Sequence, residues 1–247
     1  MNEDISLLKK EFFRIKKMGL VKSLRKGGTG IGYTFETLLN KKEDKECKPD
    51  FGSVEIKCRM GYGKKEINLF TCAPSRDDVL ATNYIFQKYS YHRYGNYNDY
   101  RLFLRKVFVK SEYKESYHEF KLVIDYDNKK IIMKSFDHSN NFIEDVCYWT
   151  FYELETKLIT KLTTLAIVKG YPYIREKETY YKYTNIDFYK LKGFDTFLKL
   201  IEDDKIYIAI YLREGLNKLG DQIIENHGVT FRLKFEYLNE LFDKIYC

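Results

Sequence analysis

Two carboxylates and an amine lie close together in residues 47–60, which read CKPDFGSVEIKCRM. Asp50 follows a proline, and Glu55 and Lys57 are two residues apart. Alternate side chains of a strand point to opposite faces, so we expect Glu55 and Lys57 to share one face, with Asp50 brought beside Glu55 by the preceding turn. Carboxylate oxygens suit Mg²⁺ rather than a thiophilic metal. With a lysine they can grip a phosphate and polarise an attacking water.

The same spacing also fits an ordinary surface strand whose exposed face carries E-x-K. Taken alone, Asp-x4-Glu-x-Lys is a weak pattern. Converging charges are nevertheless costly unless something charged binds there. The functional interpretation is favoured by the preceding stretch, residues 25–39, which read RKGGTGIGYTFETLL.

The glycines of residues 27–32 resemble a phosphate-binding loop. The stretch lacks the Lys-Ser/Thr of a P-loop and no predicted strand precedes it, so nucleotide binding has little support. A flexible turn that opens a helix is favoured instead, with backbone amides able to approach a DNA phosphate. On that helix we expect Phe35, Leu38 and Leu39 to face the core. Glu36 lies beside them, where a glutamate is usually exposed to solvent.

The combination of these two stretches resembles a known family. Gly-x-Gly-x-x-x-Glu followed by Asp and Glu-x-Lys resembles the MutH-related restriction endonucleases. Within that group, K-G-x-T-G-I-G-x-T-F-E-x-L-L followed by P-D-F-x-x-x-E-I-K is similar to the MvaI/BcnI-type enzymes. Residues 69–71 (LFT) with Pro74, and residues 227–232 (HGVTFR), match as well. The blocks spread over nearly the whole chain, with poorly matched sequence between them.

The resemblance implies an α/β fold of the PD-(D/E)xK restriction-endonuclease-like type. Such a fold has a central mixed β-sheet flanked by helices, with catalytic and recognition lobes around a DNA cleft. The sequence shows no internal repeat or linker and contains only three prolines. We therefore interpret residues 1–247 as a single restriction endonuclease domain, with a catalytic part over roughly 1–125 and a recognition part over roughly 126–247.

The resemblance also implies the function of a type II restriction endonuclease, which hydrolyses double-stranded DNA sequence-specifically and leaves 5′-phosphates. In that case Asp50 and Glu55 would bind Mg²⁺ together with the scissile phosphate. Lys57 would orient or help to deprotonate the attacking water, and Glu36 would assist as an auxiliary metal residue. Relatives of this type act as monomers. A companion DNA methyltransferase is implied genetically, but not as a bound partner.

Candidate phosphate contacts lie at the glycine-rich stretch. Arg25 and Lys26 adjoin it and Thr29 lies within it. Further basic residues precede them, but most are explained by the solvated face of an N-terminal helix.

Candidate base contacts lie near the C-terminus. We expect residues 212–225 to form a loop that carries Arg213. His227 and Arg232 match the family segment that reads base edges; an arginine can contact guanine bidentately, and a histidine can donate to or accept from a base. The alternative is that Arg232 pairs with an acid or a phosphate, and that His227 shapes a turn before Gly228.

Residues 83–106 interleave tyrosines with basic side chains, among them His92 and Arg93. This composition suits a strand of nucleic acid, through phosphate contacts and stacking. A Tyr-rich segment packed on the protein surface explains it equally well. His92 has no second histidine at metal-ligand spacing, so a polar contact is favoured over a metal.

Simple periodicity predicts several elements. Residues 67–72 are short and apolar, and we expect them to pair with the acidic strand as its neighbour. Residues 119–125 and 131–136 alternate around a polar turn and predict a β-hairpin. Helical spacing predicts helices over residues 5–18, 150–162 and 235–242.

Composition limits the class of protein. Hydrophobic residues make up 44% of the chain, which is typical of a globular protein, and the formal net charge of +7 fits a polyanionic partner without proving one. No signal peptide or membrane-spanning run is visible. The five cysteines are odd in number and lack C-x-x-C spacing, which argues against a disulfide framework and a structural zinc site and favours reduced thiols in a cytoplasm. The resemblance implies that this cytoplasm is of the bacterial type.

Two other functions share part of this pattern. A MutH-like mismatch-repair nickase has the same catalytic set but depends on partner proteins and a methylation signal. A non-catalytic DNA-binding module would have lost its carboxylates, and the intact Asp50, Glu55 and Lys57 speak against it. Residues 205–210 (KIYIAI) lack the charged residues that MvaI-type relatives tend to show there, so a recognition sequence cannot be transferred.

Overall fold

The chain folds into two compact units, each made from segments that are distant in sequence. In the computed structural model, residues 2–41, 48–61, 66–93, 100–110, 118–217 and 219–246 are described. The first unit comprises residues 1–67, 157–193 and 235–247, and the second comprises residues 68–156 and 194–234. No helix in these described ranges is long and apolar enough to cross a membrane.

Six α-helices are described: α1 (Glu3–Lys17), α2 (Gly30–Leu38), α3 (Ala81–Tyr89), α4 (Phe151–Leu162), α5 (Phe194–Glu202) and α6 (Leu238–Leu241). The strands are β1 (Val21–Lys22), β2 (Val54–Met60), β3 (Glu66–Thr71), β4 (Tyr91–Arg93), β5 (Tyr100–Val107), β6 (Glu119–Asp125), β7 (Lys130–Phe136), β8 (Phe142–Thr150), β9 (Thr164–Arg175), β10 (Glu178–Leu191), β11 (Ile206–Leu216), β12 (Gln222–Lys234) and β13 (Phe242–Ile245). The α/β fold class is confirmed.

The first unit is built on a mixed sheet with the order β1-β10-β9-β2, to which β13 adds by pairing with β10. Strand β9 is antiparallel to β10 and parallel to β2. The parallel pair needs a long connection, since parallel strands cannot be joined by a tight turn. Strand β2, which carries Glu55 and Lys57, lies at the end of the described sheet.

Helices α1 and α2 pack on one face of this sheet. In α1 the buried residues Ile5, Leu8, Phe12 and Ile15 recur at helical spacing and form a single apolar stripe. Their core also includes Ile31 and Phe35 of α2, Val54 and Ile56 of β2, Ala166 and Val168 of β9, and Tyr181, Tyr183 and Phe188 of β10. Burial of this face fixes which side chains of β2 point away from the core.

The second unit contains two further sheets, with the orders β3-β12-β11-β5-β4 and β6-β7-β8. The hairpin predicted over residues 119–136 is confirmed as β6 and β7, which pair antiparallel. Trp149 of β8 packs edge-on against Phe231 of β12, and its Nε1 donates a hydrogen bond of 3.1 Å to the Cys72 carbonyl.

Three local predictions are wrong. Strand β3 pairs with β12 rather than with β2, whose partner is β9. Residues 212–225 are not one loop, because residues 212–216 belong to β11 and residues 222–225 to β12, and the two strands pair as a hairpin. The helix expected over 235–242 is a 3₁₀ turn followed by the short α6, after which β13 begins. For β3 and for the C-terminal segment, the partner strand lies far along the chain.

Candidate active site and recognition strands

Strand β2 presents its side chains as the alternating pattern predicts. Val54 and Ile56 are buried in the core. Glu55 and Lys57 share the opposite face, where Lys57 Nζ donates a hydrogen bond of 2.6 Å to Glu55 Oε1. The two candidate side chains are therefore held together by the strand geometry.

Asp50 is brought to the same strand by the turn that precedes it. Its Oδ2 accepts a hydrogen bond of 3.0 Å from the backbone N–H of Ile56. Its Oδ1 lies 3.2 Å from Lys41 Nζ, which also donates to the Pro49 carbonyl at 3.4 Å. Asp50 is thus tied to β2 and paired with a cation.

Glu55 is a nearly completely buried carboxylate, with 1% of its side chain exposed. Oε1 contacts two amines, since Lys161 Nζ of α4 lies 3.6 Å away in addition to Lys57. Oε2 is buried and has no hydrogen-bond partner among the described residues. Burial raises the pKa of Glu55 to about 7, Lys57 opposes the shift, and the charge of Asp50 adds to it. A buried oxygen without a partner costs free energy that a bound cation would relieve.

These residues fit a hard divalent cation. The donors are carboxylate oxygens, which Mg²⁺ and Ca²⁺ prefer. In the described part of the chain, no group of three or more His, Cys, Asp or Glu side chains could hold a metal. Mg²⁺ is commonly bound by one or two carboxylates plus substrate phosphates and water, so the pair of Asp50 and Glu55 suffices.

The sequence motif did not reveal Lys41 and Lys161. Lys41 balances the charge of Asp50, and Lys161 adds a second amine beside Glu55. Neither residue is at a diagnostic spacing from the acidic strand. Lys161 reaches the site because β9, which follows α4, pairs with β2.

Glu36 of α2 lies near Cys58 of β2. A Cβ atom on Gly32 would lie 3.5 Å from Glu36 Oε1 and 3.9 Å from the Cβ of Cys58, so the two side chains flank Gly32. Burial raises the pKa of the Cys58 thiol, and the charges of Glu36 and Asp50 raise it further. Both carboxylates are therefore near this thiol. An auxiliary metal role for Glu36 stays a prediction.

The glycine-rich stretch leads into α2, as expected. The guanidinium of Arg25 stacks on the Tyr33 ring at 3.8 Å from its centroid. Lys26 and Thr29 are exposed, and the Thr29 side chain does not cap the helix. Contacts of these three residues with DNA stay predictions.

A β-bulge in the β11–β12 hairpin decides which recognition candidates share a face. The register shifts between Ile210 and Leu212, so Tyr211 lies opposite both His227 and Gly228. Gly228 has a φ of 108°, a conformation that favours glycine. An extra residue in one strand reverses the alternation of the side chains beyond it.

Because of this bulge, His227 and Arg232 lie on the same side of the sheet although one position is odd and the other even. His227 stacks on Tyr211, with ring centroids 4.5 Å apart. Arg232 lies opposite Tyr207, which is on the same side of β11 as Tyr211. The Arg232 Nε donates a hydrogen bond of 3.0 Å to Thr230 Oγ1.

Glu225 joins two of these candidates. Arg213 donates to Glu225 Oε2 from Nε at 3.0 Å and from Nη2 at 2.5 Å. His227 Nε2 lies 3.4 Å from the same oxygen. A Cβ atom on Gly215 would lie 2.4 Å from the Glu225 side chain, so the glycine leaves room for this contact. The hydrogen bond from Arg213 and its charge lower the pKa of Glu225.

The Tyr-rich segment is partly structural. The hydroxyls of Tyr84 and Tyr89 both donate to Glu144, at 2.7 and 2.5 Å from Oε1, and Lys88 pairs with the same carboxylate. His92 is exposed on β4, while the Arg93 side chain and residues 94–99 lie outside the described residues. Packing therefore accounts for the first tyrosines, and DNA contacts of His92 and Arg93 stay predictions.

Comparisons with known proteins agree with one another. The MvaI/BcnI restriction endonuclease family matches residues 9–242 of the chain. A solved structure titled "Restriction endonuclease MvaI-cognate DNA substrate complex" is similar with a TM-score of 0.87 and 28% identity, covering 99% of this chain and 98% of that one. "Restriction endonuclease MvaI in the absence of DNA" has a TM-score of 0.59 and 26% identity at the same coverage. No curated protein matches.

Proposed function

Because this chain belongs to the MvaI/BcnI restriction endonuclease family, and is therefore a site-specific deoxyribonuclease that uses a divalent metal, we propose that Asp50, Glu55 and Lys57 hydrolyse phosphodiester bonds of double-stranded DNA with Mg²⁺. The observation that supports the metal site most directly is Glu55 Oε2, a buried carboxylate oxygen without a partner. It lies on the same strand as a lysine and is electrostatically coupled to Asp50.

When bound, Mg²⁺ would supply Lewis acidity at the scissile phosphate. Lys57 orients the attacking water and stabilises the negative charge that develops on the phosphate oxygens. The water oxygen bonds to phosphorus, the bond between phosphorus and O3′ breaks, and O3′ leaves with a proton. The products carry a 5′-phosphate and a 3′-hydroxyl. Lys161 helps to hold the Glu55 carboxylate in place, and Glu36 assists from α2.

DNA recognition divides between phosphate contacts and base contacts. Arg213, His227 and Arg232, gathered on one side of the β11–β12 hairpin, read base edges. Glu225 holds Arg213 and His227 in the orientation for that contact. Pre-organised side chains lose less entropy on binding than free ones.

Phosphate contacts come from Arg25, Lys26 and Thr29 beside the start of α2, with His92 and Arg93 as further contacts. Such contacts give salt-dependent attachment to any DNA sequence. The enzyme acts as a monomer in a bacterial-type cytoplasm. A companion methyltransferase protects the host sites without binding to it.

The proposal is tested with purified protein and plasmid DNA, in Mg²⁺ or in chelator, with the fragment ends sequenced. We expect double-strand cuts at one sequence, 5′-phosphate ends, and no cutting in chelator. Nicking that needs partner proteins would instead indicate a MutH-like enzyme.

Asp50→Ala should abolish cutting and leave DNA binding largely intact. Asp127→Ala, in the exposed turn between β6 and β7, is the matched control and should cut normally. Normal cutting by Asp50→Ala would show that the active site has been assigned wrongly.

A further inference from the structure

The N-terminal turn of α1 contacts the turn between the two metal-binding candidates. Asp4 Oδ2 accepts hydrogen bonds from the Ser53 backbone N–H at 2.9 Å and from Ser53 Oγ at 2.7 Å. Asn2 adds a bond of 3.0 Å from its Nδ2 to the same hydroxyl, and its Oδ1 accepts from the Asp4 backbone N–H at 2.9 Å. These bonds join residues 49 and 51 positions apart in the sequence.

The turn of residues 51–53, to which Asp4 is hydrogen-bonded, is tight. Phe51 and Val54 exchange two backbone hydrogen bonds, of 2.9 and 2.8 Å. Between them Gly52 has a φ of 56°, and a Cβ atom there would lie 2.4 Å from the Asp4 carboxylate. Glycine therefore serves both the left-handed backbone and the close approach of Asp4.

The shape of this turn sets the distance between Asp50 and Glu55. Asp50 immediately precedes it and Glu55 follows it by two residues. Asp50 itself is held by the Ile56 N–H and by the half-buried Lys41, while Asp4 and Asn2 bind Ser53 of the turn. Removal of the Asp4 carboxylate would leave the Ser53 N–H and hydroxyl to water and would allow the turn to vary.

We propose that Asp4 is a positioning residue for the metal site: it holds the turn of residues 51–53 in the shape that keeps Asp50 beside Glu55, and so sets the affinity for the divalent ion. The inference rests on the proposed metal role of these two carboxylates. Residues that orient metal ligands through hydrogen bonds typically change metal affinity about 10–100-fold when they are replaced. Asp4 is 46 residues away from Asp50 in the sequence, so no motif signals it.

The test is the affinity of the full chain for Mn²⁺ without DNA, measured by isothermal titration calorimetry. Asp4→Ala should weaken binding about tenfold, at the lower end of that range. Asp4→Asn should bind nearly as the wild type does, because an amide oxygen can accept the same two hydrogen bonds. In cleavage assays, Asp4→Ala should need more Mg²⁺ for half-maximal rate while its rate at saturating Mg²⁺ recovers.

Asp137→Ala is the matched control. Asp137 Oδ1 accepts from the backbone N–H groups of Ser139 and Asn141, both at 2.8 Å, in a turn of the second unit. Asp137 thus stabilises a turn through hydrogen bonds as Asp4 does, but in a different part of the chain from Asp50 and Glu55. Its removal should lower the melting temperature without changing Mn²⁺ affinity.

Wild-type affinity in Asp4→Ala, or an equal loss of affinity in Asp137→Ala, would overturn the inference. If Asp4→Ala does not fold, Ser53→Ala removes the two hydrogen bonds of the Ser53 hydroxyl, keeps the backbone bond to Asp4, and should weaken Mn²⁺ binding to a smaller extent; an unchanged affinity would again contradict the inference. Glu55→Gln separates the two proposals. If Glu55→Gln binds Mn²⁺ with wild-type affinity, the metal site itself has been assigned wrongly. If Glu55→Gln loses Mn²⁺ binding while Asp4→Ala keeps wild-type affinity, only the role of Asp4 is rejected.

Discussion

Glu55 of the first unit and Glu225 of the second are the same type of residue in opposite surroundings. Glu55 is buried, one of its oxygens has no partner, and its pKa is raised to about 7 by burial. Glu225 is partly exposed, receives two hydrogen bonds from Arg213, and has a lowered pKa. Two lysine amines contact one oxygen of Glu55 while its other oxygen stays without a partner, whereas Arg213 satisfies Glu225.

This difference distinguishes Glu55, which we propose binds a metal ion, from Glu225, which we propose positions Arg213. Burial without sufficient partners destabilises the ionised form of Glu55, and in the proposed site a bound metal ion would relieve that cost. The ion pair of Glu225 instead fixes Arg213 in one orientation. The following changes test that distinction.

The largest effect is expected for Glu55→Gln. It keeps the shape of the side chain but removes the charge, so cleavage should fall more than about 100-fold, beyond the range typical of residues that only support metal ligands. Glu225→Gln should keep most of the cleavage rate at saturating DNA. Single-turnover cleavage of a plasmid measures both, and equal losses would contradict the distinction.

The second effect concerns stability and pH. The folded state holds the Glu55 proton more tightly than the unfolded chain, so stability is full below about pH 4.5, the ordinary value, and is lost as the pH rises through about 7. The loss above pH 7 is on the order of 3 kcal/mol. Glu55→Gln should therefore raise the melting temperature at pH 8 but not at pH 4.

Thermal unfolding in chelator at both pH values measures this difference. Glu155→Gln, at an exposed position of α4, should leave the melting temperature nearly unchanged at both. The effect of Glu225 has the opposite sign, because its lowered pKa gives stability that is present above the ordinary pKa and is lost as the pH falls through the lowered pKa of the folded state. A Glu55→Gln variant that is less stable at pH 8 would show that the buried charge is compensated in the absence of metal.

A smaller effect is expected for Glu225→Ala. Loss of a hydrogen bond to a charged group costs about 1.5–3 kcal/mol, which corresponds to roughly tenfold or more in affinity if the Arg213 contact to DNA depends on it. Competition binding against non-cognate DNA measures the specific part. The double variant with Arg213→Ala should lose no more than Arg213→Ala alone, whereas additive losses would show that the two residues act independently.

The smallest effect on stability, but an informative one, is expected for Gly228→Ala. Space is not the obstacle, since a Cβ atom would lie 3.5 Å from Thr71 and Thr230. The φ of 108° is the obstacle, and the strain should cost about 1 kcal/mol or more. Relief by loss of the bulge would turn His227 to the other side of the sheet, so specific binding should fall more than non-specific binding. Gly220→Ala, with a φ of 88° in the hairpin turn, is the control with similar strain.

Local patterns in the sequence predicted much of the catalytic strand. The alternation of Val54, Glu55, Ile56 and Lys57 predicted both the buried and the polar face, because the period of a strand depends on the backbone alone. The hairpin of β6 and β7 and the helix α4 were predicted for the same reason. The pairing of β3 was not, since strand partners are chosen by packing across the whole sheet.

The recognition strands show the limit more clearly. Residues 212–225 are rich in polar and charged side chains and resemble a loop, yet residues 212–216 and 222–225 pair as strands, with Arg213 bonded to Glu225 across the hairpin. The bulge at Gly228 reverses the alternation of side chains between the two faces, and a prediction from odd and even positions depends on that alternation. The family motif singled out His227 and Arg232, but it did not predict that they lie on the same face of the sheet.

The sequence by itself determined the chemical types at the active site, their alternation on one strand and the family to which the chain belongs, because these depend on residue identity and on a local backbone period. The tertiary structure decided that Glu55 is buried with an unpartnered oxygen, that Lys41 and Lys161 contact the two carboxylates, and that Asp4 binds the turn between them. It also decided which side of the sheet His227 occupies. Burial, distance and charge compensation arise between segments far apart in the chain, and no local pattern encodes them.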